Sequence, residues 1–128
     1  MRRIRPALER GVWVVCDRFA DSTLAYQGYG AGMPLAELRD LAKLATGGLD
    51  PDRTILLDLD PEIGLARKHP NDRTRFEASF DLAFHRRVRD GFLALAREEP
   101  ARFRVIDASQ PLEAVYAAVL AAALETLA

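Results

Sequence analysis

Asp17 and Arg18 stand side by side, and Asp21, Ser22, Thr23, Tyr26 and Gln27 follow within the same short stretch. An acid, a guanidinium, two hydroxyls, a phenol and an amide are more polar groups than turn formation or helix capping needs. A second concentration is Arg67-Lys68-His69-Pro70-Asn71-Asp72-Arg73-Thr74-Arg75. Pro70 interrupts a helical pattern there, because its ring clashes with the preceding turn and it has no N–H. A basic, broken segment between helices suits a cover that closes on phosphates. The competing reading is a solvated surface loop, where a charge run usually belongs. Asp58, Asp60 and Asp107 close two apolar runs. For Asp60 and Asp107 the simpler role is capping, which Asp performs at many loop and helix starts.

Other chemistries lack their residues. His69 and His85 have no Cys or acidic partner at ligand spacing, so no side-chain metal site is expected. Gly28, Gly30 and Gly32 form G-Y-G-A-G, which is not G-x-G-x-x-G, and no strand immediately precedes it. No G-x-S-x-G occurs, and neither Ser79 nor Ser109 sits in a nucleophile elbow. Arg86, Arg87 and Arg89 read as the wet side of an amphipathic helix.

These groups need positioning elements, and the chain alternates between two kinds of segment. Val12–Cys16, Thr54–Leu59 and Phe103–Ile106 are short apolar runs, the mark of strands covered on both faces in a parallel sheet. Between them lie stretches with helical spacing. Residues 2–9 read as a helix end closed at Gly11. Leu35, Leu38, Ala42 and Ala45 share a face between Pro34 and the stop at Gly47-Gly48. Asp60 is a candidate N-cap with Pro61 in the first turn. Phe84, Val88, Phe92 and Leu95 form a stripe. Ser109-Gln110-Pro111 opens a last helix with the stripe Leu112, Val115, Tyr116, Val119, Ala123 and Leu127. Strands separated by helices make right-handed crossovers in a parallel α/β sheet. Three strands are few for such a sheet.

The chain has 128 residues and a net charge of −1, which fits one small domain, residues 1–128, and excludes a two-domain enzyme. The charge balance argues against a nucleic-acid binder. Cys16 is the only cysteine, so a reducing compartment such as the cytoplasm is expected. No apolar run approaches a membrane span.

The stretch Asp17-Arg18-Phe19-Ala20-Asp21-Ser22-Thr23-Leu24-Ala25-Tyr26-Gln27-Gly28 resembles the thymidylate kinase signature, roughly D-R-[FYH]-x-x-S-[TN]-x-A-Y-Q-G. Ile4-Arg5-Pro6-Ala7-Leu8 and Gly11 are similar to the helix before it. Pro51-Asp52, Thr54, Leu57-Asp58 and Pro61-Glu62, Gly64-Leu65, Arg67 are similar to the family's fourth strand and the helix after it. Arg75-Phe76-Glu77 resembles the lid, and Val105 to Glu113 resembles the last strand and helix. The resemblance spans nearly the whole chain. It implies a P-loop-kinase parallel sheet, here partial with three strands, flanking helices and a basic lid near 67–79. It implies transfer of the ATP γ-phosphoryl group to dTMP with Mg²⁺, giving dTDP and ADP, and a homodimer in the full-length family.

By the same resemblance, Arg18 bridges the acceptor and transferred phosphoryl groups, a role suited to a planar, permanently charged fork. Asp17 orients Arg18 or a metal-bound water. Ser22 and Thr23 line the thymine side, Tyr26 lies against the sugar and Gln27 hydrogen-bonds nearby. Arg67 faces the adenine or phosphates, Ala108-Ser109-Gln110 borders the adenine, and Arg73 or Arg75 reaches the transferring group. Thr74 replaces the family's Asp before Arg75, and Asp72-Arg73 comes two residues early, so two lid arginines compete for that role.

No G-x-x-x-x-G-K-[ST] occurs in these residues, and neither Lys43 nor Lys68 follows a glycine. The family's first strand and P-loop are therefore expected upstream of Met1. That strand lies between the third and fourth, so its loss leaves unpaired backbone and apolar surface beside Val12–Cys16 and Thr54–Leu59. No turnover by the chain alone is expected. The alternative is a non-catalytic binding module that keeps part of the dTMP pocket.

Overall fold

A computed structural model describes residues 3–67 and 81–126. The first helix, α1, runs over Ile4–Glu9. It closes at Gly11, whose φ of 71° lets the Gly11 and Val12 N–H groups turn back to the Leu8 and Ala7 carbonyls. Helix α2 (Ala20–Thr23) leads without a break into a π-helix over Leu24–Gly30. The sequence reading assigned no helix to this stretch. Its polar composition masked the fact that Leu24, Ala25, Gly28 and Gly30 all turn inward.

Helix α3 (Leu35–Thr46) follows Pro34 and stops at Gly47, in the left-handed conformation at φ 62°. The Arg5 guanidinium donates to the Thr46 and Gly47 carbonyls at 3.2 and 2.7 Å, placing a cation on the negative end of the helix. Strand β1 (Thr54–Asp58) pairs in parallel with β2 (Phe103–Asp107), Thr54 opposite Phe103 and Asp58 opposite Asp107. Helix α4 (Pro61–Arg67) follows β1, and the Asp60 carboxylate accepts from the Glu62 N–H at 2.9 Å, as its capping reading requires. Helix α5 (Leu82–Glu98) is capped by Asp81, which accepts from the Phe84 N–H at 2.8 Å. Helix α6 covers Leu112–Leu124.

The sheet corrects the expectation of three strands. Among the described residues it has two, and Val12–Cys16 joins no ladder. Val14 and Cys16 instead line a small hollow of about 70 Å³ with Ile4, Phe19, Leu49 and Pro51, at the approach to β1. An apolar run becomes a strand only when a neighbouring backbone satisfies its N–H and C=O groups. Among the described residues no such neighbour flanks it, and Val15 is 96% exposed.

The core lies where α5 crosses the helical segment 20–30. Leu24, Leu38, Leu95, Ala96 and Phe103 form one cluster, and Ala25, Phe84 and Val88 form another. Close approach is made possible by glycine. A Cβ on Gly30 would lie 2.7 Å from the Phe84 ring, and one on Gly91 would lie 2.6 Å from Tyr29. The α6 stripe departs from expectation, because Leu112 is 78% exposed and Tyr116 is also exposed. Periodicity identified an apolar face, but among the described residues nothing packs over its outer half. The end of that stripe, Leu127, and the helix break at Pro70 lie outside the described residues.

Candidate functional site

Arg18 occupies a left-handed backbone conformation, φ 64°, the only positive φ among the described non-glycine residues. A side chain there costs about 1–2 kcal/mol, which the surroundings must over-determine. The Cys16 thiol contacts the Arg18 carbonyl at 3.2 Å. The turn aims the Arg18 guanidinium back over the Tyr26 ring, 5.1 Å from its centroid, with a weak donation to the phenol oxygen at 3.4 Å. Tyr26 is itself wedged edge-on against Phe92 and tilted against Phe84. The guanidinium remains exposed, with donors free of any carboxylate among the described contacts. Asp17 is exposed, Ser22 and Gln27 are half-buried, and Thr23 is exposed on the same helical segment.

A second group gathers at the ends of the strands. The Arg89 fork donates to both Asp58 oxygens, at 2.7 and 2.9 Å, and its remaining arm reaches Asp60 at 3.5 Å. Those hydrogen bonds hold the Arg89 guanidinium even more firmly protonated than usual. The Asp107 carboxylate accepts from the Ser109 N–H at 2.9 Å and its hydroxyl at 2.6 Å. These two bonds lower its pKa below the ordinary value. The Ala108 N–H donates to the Asp58 carbonyl at 2.8 Å, and Arg67 donates to the Ala108 carbonyl at 3.2 Å. So Arg67 and the 108–110 loop meet, while Asp58 and Asp107 stand opposite each other in the strand register with separate side-chain partners.

The two groups are joined through α5, which presents Arg89 to the strand ends and Phe92, one turn on, to Tyr26. A shallow hollow of about 420 Å³ lies beside Lys43 and Gly47 at the end of α3. Arg73 and Arg75 lie outside the described residues. No three His, Cys, Asp or Glu side chains among the described residues are grouped to hold a metal ion.

The profile of the family described as thymidylate kinase matches residues 1–119. The chain belongs to the thymidylate kinase family. Among thymidylate kinase relatives, that of Deinococcus radiodurans is 52% identical over 122 residues, covering 95% of this chain and 59% of the relative. That of Desulfovibrio desulfuricans is 57% identical, covering 88% of this chain and 55% of the relative. That of Thermomicrobium roseum is 53% identical, covering 98% and 60%. The chain thus spans somewhat over half the length of the thymidylate kinases it matches.

Sequence reasoning missed two arginines in this family member. Arg89 reads in sequence as part of the wet face of its helix, yet it clamps the end of β1. Arg102 carried no signal at all, yet it forms the most buried ion pair described, with Asp21. Nothing in one-dimensional spacing separates such arginines from solvated ones, because their partners lie 31 and 81 residues away. Asp81 was legible in principle, as an Asp three residues before the first apolar residue of a stripe.

Proposed function

We propose that this chain carries the nucleoside-monophosphate side of a dTMP kinase. In the reaction, the ATP γ-phosphoryl group passes to the dTMP phosphate, giving dTDP and ADP, and the phosphate-cradling loop comes from polypeptide beyond these 128 residues. The observation that carries this reading is the Arg18 guanidinium, held by a strained backbone and the Tyr26 face while its donors stay exposed. Phosphoryl transfer asks for positioned positive charge more than covalent chemistry, and one arginine on the transferring group is worth about 10³-fold or more.

In this reading Arg18 receives the phosphates and Asp17 orients it. Ser22, Thr23 and Gln27 face the base and sugar, and Tyr26 packs on the sugar. Arg67 and Ala108-Ser109-Gln110 border the adenine, and Arg73 or Arg75 completes the charge around the transferring group. Magnesium would accompany ATP, but the described residues do not fit a metal site of their own. Asp58 and Asp60 are taken up by Arg89, and Asp107 by Ser109, so no step here runs through the metal. The full protein is proposed to be a cytoplasmic homodimer. Among the described residues no helix is long and apolar enough to cross a membrane.

Calorimetric titration of the chain with dTMP tests the reading. Weak binding is expected, and Arg18→Ala should weaken it about tenfold or more, the loss of one charge-assisted phosphate contact. With ATP and Mg²⁺ added, no dTDP is expected from the chain alone. Absence of any dTMP binding would overturn the proposal. Turnover would overturn the assignment of the phosphate-cradling loop to other polypeptide.

A further inference from the structure

Asp21 and Thr46 are the buried polar residues among those described, and Asp21 is the charged one, 8% exposed. A carboxylate so placed is costly unless paired and hydrogen-bonded. Its partner is Arg102, whose two arms donate to the two Asp21 oxygens at 2.7 and 2.9 Å. The same guanidinium donates to Thr54 Oγ1 at 2.7 Å and to both Glu99 oxygens at 2.8 Å, and lies 4.4 Å from the Phe103 ring centroid. Arg102 therefore joins four pieces: the start of α2, the first residue of β1, the end of α5 and the first residue of β2. These bonds keep Arg102 protonated and pull the Glu99 carboxyl below its ordinary pKa.

Asp21 lies three residues after the strained turn at Arg18 and immediately before Ser22 and Thr23. It sits at a position the family signature leaves free. Once Asp21 is fixed, the direction in which the helix leaves the Arg18 turn is fixed too. Tyr26, just over one helical turn further on, then meets the Arg18 guanidinium. Thr54 and Phe103 begin the strands, whereas Asp58 and Asp107 end them, roughly 13 Å away along the sheet. Arg102 thus works from the end of the sheet opposite the strand-end carboxylates and does not itself reach a ligand there.

We infer that Arg102, acting through Asp21, is a positioning residue that sets the orientation of the segment carrying Ser22, Thr23, Tyr26 and Gln27. The functional half of this inference rests on the dTMP-binding reading above.

Two variants of the 128-residue chain test it, each followed by amide hydrogen exchange and by dTMP titration. Arg102→Lys keeps the charge and loses the fork. It should reduce protection of amides 22–30 about tenfold more than that of the Arg86–Leu95 amides of α5, and weaken dTMP binding by about the same factor. The double variant Asp21→Leu with Arg102→Met removes both charges, so thermal stability should stay near that of the parent chain. Its dTMP affinity should remain reduced. The inference is overturned if exchange in Arg102→Lys rises uniformly or not at all. It is overturned equally if the double variant binds dTMP as the parent does. If the parent chain binds no dTMP, the proposed function falls, and the exchange comparison still decides whether Arg102 orients this segment.

Discussion

The face of α5 that meets the 20–30 segment and the outer face of α6 read alike in sequence, since each is an apolar stripe at helical spacing. In the structure they have opposite fates. On α5, Phe84, Val88 and Leu95 are buried, and Leu95 is only 1% exposed. On α6, Leu112 and Tyr116 of the stripe lie open, with Leu120 and Leu124 beside it, and so do Val12, Trp13 and Val15 in the segment that joins no sheet. The difference teaches that periodicity encodes a demand for a partner and says nothing about whether the partner is present. The α5 side meets its demand within the described residues, through glycines that admit Phe84 and Tyr29 at backbone distance.

The sharpest way to break this contrast is to cut into the closed side. Leu95→Ala should cost about 3 kcal/mol, the usual loss for a fully buried leucine, seen as a lower denaturant midpoint with little change in slope. An effect under about 1 kcal/mol would mean that the α5 core is no better packed than the α6 face. Asp81→Ala removes the side-chain acceptor from the Phe84 N–H. It should cost about 1 kcal/mol, read in the same denaturation curves.

Acid sharpens the comparison more gently. Glu99 has its pKa lowered from the ordinary 4.5, chiefly by its hydrogen bond from Arg102. Its contribution to stability is therefore complete above pH 4.5 and is lost as the pH falls through the lower folded-state value. Thermal melts between pH 6 and pH 3 should show a declining midpoint. Glu99→Gln should flatten part of that decline, and the change is small because the carboxylate is about half exposed. The smallest effect belongs to the open side. Leu112→Ser should shift stability by no more than about 0.5 kcal/mol, since the side chain loses little burial. A loss comparable to that of Leu95→Ala would show that the outer face of α6 is covered in solution.

Much of the local architecture was legible. Pro34 and Gly47 bracketed α3, and Asp60-Pro61 opened α4, because cap and stop signals act through the residue's own backbone and its near neighbours. The helix over 20–30 escaped notice because its polar residues, read as chemistry, concealed the inward row of Leu24, Ala25, Gly28 and Gly30. The candidate groups were visible by type. Their pairings were not: Arg18 with Tyr26 spans eight residues, and Arg89 with Asp58 spans thirty-one.

By itself the order of residues determined the family, the alternation of helices and apolar runs, and the concentration of polar groups in the Asp17–Gln27 stretch. Those properties are written in neighbouring residues and need no knowledge of distance. Only the tertiary structure decided that Val12–Cys16 stays outside the sheet, that Arg89 and Arg102 are clamps and not solvated charges, and that one apolar helix face is buried while another is open. A hydrogen bond or a packed face requires two partners to arrive at the same place. That meeting is a property of the folded chain, and no single segment carries it.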